Sequence, residues 1–216
     1  MEHAVGIMGG TFDPVHYGHL AAAEEARARF ALERVVFVPN RHPPHKPEAA
    51  VSPAEMRYEM VVLAIASNPA FEVSRVEVDR PGPSYSADTM AHFRELLGDD
   101  VRLYLITGAD AVLEMMGWHD PQRLAKTCEF IAVMRPGYDL AALELALGPE
   151  LRARTHVLEA PGVEVSSSEI RRRVSDGESL RYLTPPAVAS YIEGRGLYRG
   201  EHRIVSELDE SAGGRR

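Results

Sequence analysis

Residues 9–19 are Gly9-Gly10-Thr11-Phe12-Asp13-Pro14-Val15-His16-Tyr17-Gly18-His19, and they follow directly on a short apolar run, Ala4–Met8. Glycine has no Cβ, so the paired glycines allow the backbone to turn sharply and to approach a ligand closely. The apolar spacing after the turn predicts a helix over His19–Ala31. The start of that helix would direct free N–H groups and the positive end of its dipole toward the turn. A strand, a tight turn and a helix in this order are typical of a phosphate-binding site.

His16 and His19 are three residues apart, so they share one face of a helical turn and can both donate hydrogen bonds to phosphate oxygens. Other interpretations stay open on these residues alone. Two glycines after a strand can be only a turn, and a histidine at a helix start can be a cap or a surface residue. A His-x-x-His pair can also bind a metal, although no third ligand is evident nearby. The dinucleotide-binding pattern is excluded, because no G-x-G-x-x-G follows the strand.

Short apolar runs bounded by Gly, Pro or Asn alternate along the chain with longer segments of helical periodicity. The runs predict six strands: Ala4–Met8, Val35–Val38, Phe71–Val78, Leu103–Thr107, Phe130–Met134 and His156–Leu158. Helices are expected between them. One would start at Ser52-Pro53-Ala54-Glu55, with Ser52 as the cap and Pro53 at the first helical position, and another at Asp120-Pro121. This alternation predicts an α/β fold, a Rossmann-like, doubly wound, mainly parallel sheet with helices on both faces.

Two proline-containing stretches, Pro39–Val51 and Asp79–Tyr85, are predicted to be loops. Loops at the carboxyl ends of strands in an open α/β sheet are where ligands bind. We expect a single domain over residues 1–199, followed by a polar, flexible tail over residues 200–216.

The 216 residues carry a formal net charge of −8, which argues against a broad surface for nucleic acid or membranes. No apolar run approaches the ~18–20 residues of a membrane span, and the N-terminus lacks the features of a signal peptide. Cys128 is the only cysteine, which excludes an intramolecular disulfide and fits a reducing compartment. Its position between a predicted helix and strand favours a buried apolar role over a reactive thiol. We expect a cytoplasmic protein, and the sequence is compatible with a monomer or a homo-oligomer.

The run of residues 9–19 resembles the HxGH signature of the nucleotidyltransferase superfamily, in the form found in the bacterial nicotinate-nucleotide adenylyltransferases. All eleven residues match without a gap. The resemblance implies that His16 and His19 are catalytic residues that hydrogen-bond the phosphates of ATP. It also implies that ATP is bound by Gly9, Gly10, Thr11 and Phe12.

Two further motifs carry the resemblance into the predicted loops. Pro39-Asn40-Arg41-His42-Pro43-Pro44-His45-Lys46 resembles the family's Pro-Pro-His-Lys loop, which implies that Asn40 and Lys46 bind the mononucleotide and that Lys46 is catalytic. Without the resemblance, Lys46 is a solvated surface side chain. Ser84-Tyr85-Ser86-Ala87-Asp88-Thr89 resembles the family's Ser-Tyr-Thr-x-Asp-Thr and implies that Thr89 helps to form the nicotinate pocket. The alternative is that Ser86 or Asp88 only caps a helix over Thr89–Leu97.

The strand predicted to end at Thr107 is followed by Gly108-Ala109-Asp110, which the resemblance places beside the ribose and phosphates of the nucleotides. From the residues alone, Asp110 is a first-turn carboxylate favoured by the helix dipole. Trp118, the only tryptophan, follows Gly117 and is expected to stack on a pyridine ring, with a core position as the alternative. Arg135 closes another strand at the same edge and matches a family position near the substrate.

Val165-Ser166-Ser167-Ser168-Glu169-Ile170-Arg171 resembles the family's Ile-Ser-Ser-Thr-x-Ile-Arg motif. It implies that Ser167 and Ser168 bind ATP phosphates and that Arg171 neutralises their charge as a catalytic residue. On the residues alone, the serines are helix caps and Arg171 is a surface charge. The likeness covers the chain from about Val5 to Tyr198.

The implied reaction is adenylyl transfer from ATP to nicotinate mononucleotide, which gives nicotinate adenine dinucleotide and pyrophosphate in NAD biosynthesis. The attacking phosphate is already an anion, so the protein would position like-charged reactants and neutralise charge rather than supply a base. Mg²⁺ is expected to enter with ATP, held by phosphates and water and by no metal-binding cluster of the protein. The alternatives are a pantetheine-phosphate adenylyltransferase and a non-catalytic nucleotide sensor. The sequence does not choose between nicotinate and nicotinamide mononucleotides.

Overall fold

The computed structural model describes residues 3–42, 51–113, 117–134, 147, 149–159 and 162–200. Six strands lie in these ranges: β1 (His3–Gly10), β2 (Arg34–Pro39), β3 (Phe71–Val73), β4 (Val101–Gly108), β5 (Glu129–Met134) and β6 (Thr155–Glu159). They form one parallel sheet in the order β3-β2-β1-β4-β5-β6. The chain builds outward from β1 to one edge and then crosses over to build the other half. This topology confirms the predicted Rossmann-like, doubly wound α/β fold.

The helices of the described ranges connect the strands. They are α1 (Tyr17–Arg29), α2 (Ala54–Ile65), α3 (Ser86–Leu97), α4 (Ala109–Leu113), α5 (Pro121–Thr127), α6 (Pro149–Arg152), α7 (Ser167–Ser175) and α8 (Pro186–Arg195). None of them is long and apolar enough to cross a membrane.

The central strand β1 separates two apolar cores. Successive side chains of a strand point to opposite faces. Ala4 and Met8 therefore pack in one core, and Val5 and Ile7 pack in the other. Buried residues of α1, α2 and α8 cover the first face, and those of α3 and α5 cover the second. Burial on both faces explains why the strands are almost continuously apolar.

The parallel arrangement brings all six carboxyl ends to one edge of the sheet. β1 and β4 are neighbours there, but the chain leaves them toward opposite sides. Such a switch point opens a crevice between the connecting loops, which is where ligands bind in this class of fold. The crevice at the ends of β1 and β4 is therefore where the fold itself places a site.

Some predicted boundaries are wrong. β3 ends at Val73 rather than Val78, because the chain turns after it and the Asp79 N–H donates to the Arg75 carbonyl (2.9 Å). Pro53 is extended (ψ 138°), so α2 begins at Ala54 and Ser52 does not cap it. The N–H of Ser52 donates instead to the Asp13 carboxylate (3.1 Å). Capping of a helix over Thr89–Leu97 by Ser86 or Asp88 is also wrong, since α3 begins at Ser86 itself.

Two other predictions from the sequence are confirmed. Asp120 caps α5 by accepting from the Arg123 N–H (3.2 Å), with Pro121 at the first helical position. Cys128 is buried at 3% exposure. The domain boundary at residue 199 stays a prediction, since residues 201–216 lie outside the described ranges.

Candidate active site

The predicted phosphate-binding turn lies at the carboxyl end of β1. Its sharp change of direction falls on Phe12, which has a positive φ of 51°, while Gly9 and Gly10 still belong to the strand. The expectation that the glycines themselves make the turn is therefore wrong. A Cβ on Gly10 would lie 2.9 Å from the Phe12 ring, whereas one on Gly9 would meet no atom within 4 Å. Gly10 thus makes room for the buried phenyl ring, and Gly9 leaves open space above the strand.

The two histidines stand together where α1 begins. Their rings are stacked with centroids 3.7 Å apart and planes 27° apart. The backbone N–H of His16 donates to Nδ1 of His19 (3.3 Å). In a neutral ring the proton of His19 is then on Nε2, so that nitrogen is a donor on the opposite side of the ring. The local backbone thereby selects the tautomer that can donate to an anion.

Gly18 allows this stacking because it has no side chain. A Cβ at this position would lie 3.0 Å from Nδ1 of His16 and 3.4 Å from the carbonyl oxygen of Val163. Contacts this short force the neighbouring atoms to move. Glycine between the two histidines therefore lets the His16 ring lie against the first turn of α1.

Two cavities meet at the turn. The larger, of about 750 Å³, is lined in part by Gly9, Thr11, His16, His19, Gly108 and Asp110. The smaller, of about 310 Å³, is lined in part by Gly9, Gly10, Thr11, Asn40 and Trp118. Gly9, Thr11, Thr107 and Ala111 line both, so the cavities adjoin at the ends of β1 and β4. A groove of about 1060 Å³ near α7 and α8 is larger but is lined by none of the predicted site residues.

The two cavities collect part of the predicted residues. Four residues expected to bind ATP, Gly9, Thr11, Gly108 and Asp110, line the larger cavity with both histidines, whereas Gly10 lines only the smaller one, together with Asn40 and Trp118. Lys46 and Arg135 lie outside the described residues, and their roles stay predictions.

Several predicted residues brace the site rather than line a cavity. Phe12 is buried at 2% exposure. The hydroxyl of Ser167 donates to the Pro14 carbonyl (2.9 Å), and Arg171 donates to the Asp13 carbonyl (2.8 Å) and lies 3.5 Å from the Ser168 hydroxyl. These hydrogen bonds hold α7 against the phosphate-binding turn that carries the histidines. Contacts of these residues with phosphate stay predictions.

Thr89 is also buried, behind the smaller cavity. Its hydroxyl donates to Glu77 (2.6 Å) and accepts from Nη1 of Arg80 (3.0 Å). Glu77 itself lines that cavity, so Thr89 acts on the cavity wall through a carboxyl group that the sequence did not single out.

The carboxylate of Asp13 is a second feature that sequence reasoning missed. It is 3% exposed and accepts from the Tyr198 hydroxyl (2.6 Å) and from the Ser52 N–H (3.1 Å). Burial and the adjacent carboxylate raise the pKa of the Tyr198 phenol. Thr184 adds a hydrogen bond to the Val15 carbonyl (2.8 Å). No local pattern could have revealed the contacts of Tyr198 and Thr184, because they join residues that are 185 and 169 positions apart in the chain.

Arg57 also supports the site, although the sequence motifs did not single it out. It is 1% exposed, and burial lowers the pKa of its guanidinium. It donates to the Thr11 carbonyl (2.6 Å) and to Oδ1 of Asn40 (3.2 Å), so one buried cation holds a wall of each cavity. The sequence did contain a signal, since Arg57 shares the helical face of Met60, Val61 and Ala64 in an otherwise apolar stripe.

The chain is similar to known proteins over most of its length. The cytidylyltransferase-like family model matches residues 7–173. The probable nicotinate-nucleotide adenylyltransferase of Moorella thermoacetica is 54% identical over 198 residues, covering 90% of this chain and 91% of the relative. A protein of the same name from Thermus thermophilus is 48% identical over 195 residues, covering 90% and 99%. The chain belongs to the nicotinate-nucleotide adenylyltransferase family. The resemblance inferred from its motifs is thus confirmed.

Solved structures of another adenylyltransferase have a similar fold. The nicotinic acid mononucleotide adenylyltransferase of Plasmodium falciparum, complexed with NaAD, superposes with a TM-score of 0.75 at 18% identity. The alignment covers 91% of this chain and 97% of the other. A second structure of that enzyme, complexed with APC, gives a TM-score of 0.73 at 17% identity. At this identity the likeness establishes the fold alone.

Proposed function

We propose that the chain transfers the adenylyl group of ATP to nicotinate mononucleotide, releasing pyrophosphate and forming nicotinate adenine dinucleotide. The observation that carries this proposal is the junction of the two cavities over Gly9 and Thr11. One cavity offers a helix N-terminus and two histidines to a triphosphate, and the other offers an indole ring to a pyridine. The two reacting phosphates would meet at the shared wall.

The chemistry assigned to the larger cavity is neutralisation of charge. As the bond between the α- and β-phosphates breaks, negative charge grows on the leaving pyrophosphate. Nε2–H of His19 would donate to those oxygens, and the positive end of the α1 dipole would stabilise their charge. Arg171 would add a positive charge beside them, and Lys46 would act on the transferred phosphate. No base is required, because the attacking mononucleotide phosphate is already ionised.

The smaller cavity is assigned to the mononucleotide. Trp118 would stack on the pyridine ring, and Asn40 would bind a polar group of the mononucleotide. The carbonyl of Asn40 is held by Arg57, which also holds the carbonyl of Thr11. Alignment of the two substrates therefore depends on a common buried anchor, as proximity catalysis requires.

Mg²⁺ is proposed to enter as its complex with ATP. Among the described residues, no three His, Cys, Asp or Glu side chains gather as ligands. Such a site fits an ion held mainly by phosphate oxygens and water, with the carboxylates of Asp110, Glu164 and Glu169 on the wall of the larger cavity. The ion would supply additional neutralisation of phosphate charge. The acidic net charge of −8 argues against binding of nucleic acid.

A pyrophosphate-release assay tests the proposal. The protein is incubated with Mg²⁺-ATP and, separately, nicotinate mononucleotide, nicotinamide mononucleotide or phosphopantetheine. Release with nicotinate mononucleotide, and formation of the dinucleotide, is the expected result. Release with phosphopantetheine alone would assign the pantetheine reaction instead, and ATP binding without release with any acceptor would assign a sensor.

A further inference from the structure

Glu77 places a buried carboxyl group on the wall of the smaller cavity. The residue is 6% exposed and lines this cavity together with Asn40 and Trp118. A carboxyl group is unexpected in a cavity assigned to an anionic mononucleotide, because like charges repel. Its surroundings show which form of the group the protein favours.

Both hydroxyl groups next to Glu77 direct their protons at it. The Thr89 hydroxyl accepts a hydrogen bond from Arg80 and donates its single proton in a hydrogen bond to Glu77. Ser84 accepts from the Arg41 N–H (3.1 Å) and also lowers the pKa of the Glu77 carboxyl by hydrogen bonding. Hydrogen bonds donated to the group favour the carboxylate, whereas its burial favours the acid.

The negative charge of Glu77 is only partly balanced by the chain. Burial, the largest effect, raises the pKa of Glu77 above its ordinary value, and the hydrogen bonds from Thr89 and Ser84 and the charge of Arg80 oppose this shift only in part. Arg80 reaches Glu77 only through the Thr89 hydroxyl, and no described side chain forms an ion pair with the carboxylate. A buried carboxylate without an ion pair is stabilised by any cation that enters the cavity.

We propose that Glu77 is a specificity-determining residue that recognises the positive charge of the pyridinium ring. This inference rests on the proposed function. The ring nitrogen of a pyridine mononucleotide is bonded to ribose and is therefore cationic, although the ring is flat and apolar on its faces. Trp118 attracts a cationic ring through its π face, and Glu77 supplies the opposite charge. The ring carboxylate of nicotinate would then point away from Glu77, which fixes how the ring enters the cavity.

Calorimetric binding of two matched ligands tests the role of this charge. Nicotinate mononucleotide has a cationic ring, and its 1,4-dihydropyridine form has the same ribose, phosphate and carboxylate on a neutral ring. We expect the wild-type protein to prefer the cationic form on the order of tenfold, as for a partly desolvated charge. In Glu77→Gln this preference should fall severalfold, to the part that the Trp118 ring supplies, because the amide carries no charge; its oxygen can still accept from Thr89, so the local hydrogen bond is kept. Glu95→Gln, an equal charge change at an exposed position of α3, should keep the wild-type preference.

A second variant acts in the opposite direction. Arg80→Gln removes the positive charge that partly balances Glu77 and should raise the preference for the cationic ring above that of the wild type. If Glu77→Gln fails to fold, Arg80→Gln still tests whether Glu77 recognises the cationic ring. An unchanged preference in either folded variant overturns the role of Glu77 and leaves the proposed function intact. Failure of the wild-type protein to bind either form overturns both.

Discussion

The hydrogen bond between Tyr198 and Asp13 gives the sharpest prediction, because it joins the last described segment of the chain to the phosphate-binding turn. Tyr198→Phe removes one donor from a carboxylate that is 3% exposed. A hydrogen bond to a charged group contributes about 1.5–3 kcal/mol, and the remaining Ser52 N–H cannot replace it. At roughly 2–4 °C per kcal/mol for a chain of this length, Tm should fall by about 3–12 °C.

Thermal unfolding followed by circular dichroism measures this loss, with Tyr182→Phe as the matched control. Tyr182 is 87% exposed, so removal of its hydroxyl should change Tm by no more than about 1 °C. Because Asp13 lies in the turn that carries the histidines, Tyr198→Phe should also raise the KM for ATP more than the KM for the mononucleotide. A Tm for Tyr198→Phe equal to that of the control would refute the claim that this bond braces the turn.

Three further outcomes are expected. His19→Ala should lower kcat on the order of 10²-fold in the pyrophosphate-release assay while the fold stays intact by circular dichroism, as for loss of one transition-state donor, whereas the exposed control His92→Ala should retain wild-type turnover. Burial raises the pKa of the Cys128 thiol to about 12. An aromatic disulfide reagent at pH 8 should therefore label the thiol rapidly in the unfolded chain and hardly at all in the native protein. Rapid labelling of the native protein would contradict the burial of Cys128. The hydrogen bond from Arg172, with a second from Arg173, lowers the pKa of Glu169 from 4.5 to about 2, so its contribution to stability is present above pH 4.5 and is lost as the pH falls toward 2. In urea unfolding, the difference in the free energy of unfolding between wild type and Glu169→Gln should therefore shrink as the pH falls from 4.5 toward 2. A difference that stays constant over this interval would show that the ion pairs of Glu169 do not stabilise the fold.

Much of the fold could be predicted because its signals are local. Each strand is visible in the sequence as a short apolar run, since a strand buried on both faces admits few polar residues. β3 was predicted too long because Ser74 to Val78 continue a mixed apolar pattern, and only the Asp79–Arg75 hydrogen bond shows that the chain has already turned. The start of α2 was misplaced for a related reason. Ser52 and Pro53 carry a valid capping pattern, but a tertiary contact with Asp13 engages the Ser52 backbone.

Residue types and their spacing are sufficient to predict the alternation of strands and helices, the phosphate-binding signature and the family to which the chain belongs. These depend on residue type and spacing along a few turns of chain, which the sequence records directly. Tertiary structure alone decided that Phe12 makes the turn, that Arg57 supports one wall of each cavity, and that Asp13, Glu77 and Tyr198 contribute to the site. A buried polar group must find its partners wherever the fold brings them. Some of those partners lie as far as 185 residues away along the chain, beyond the reach of any local pattern.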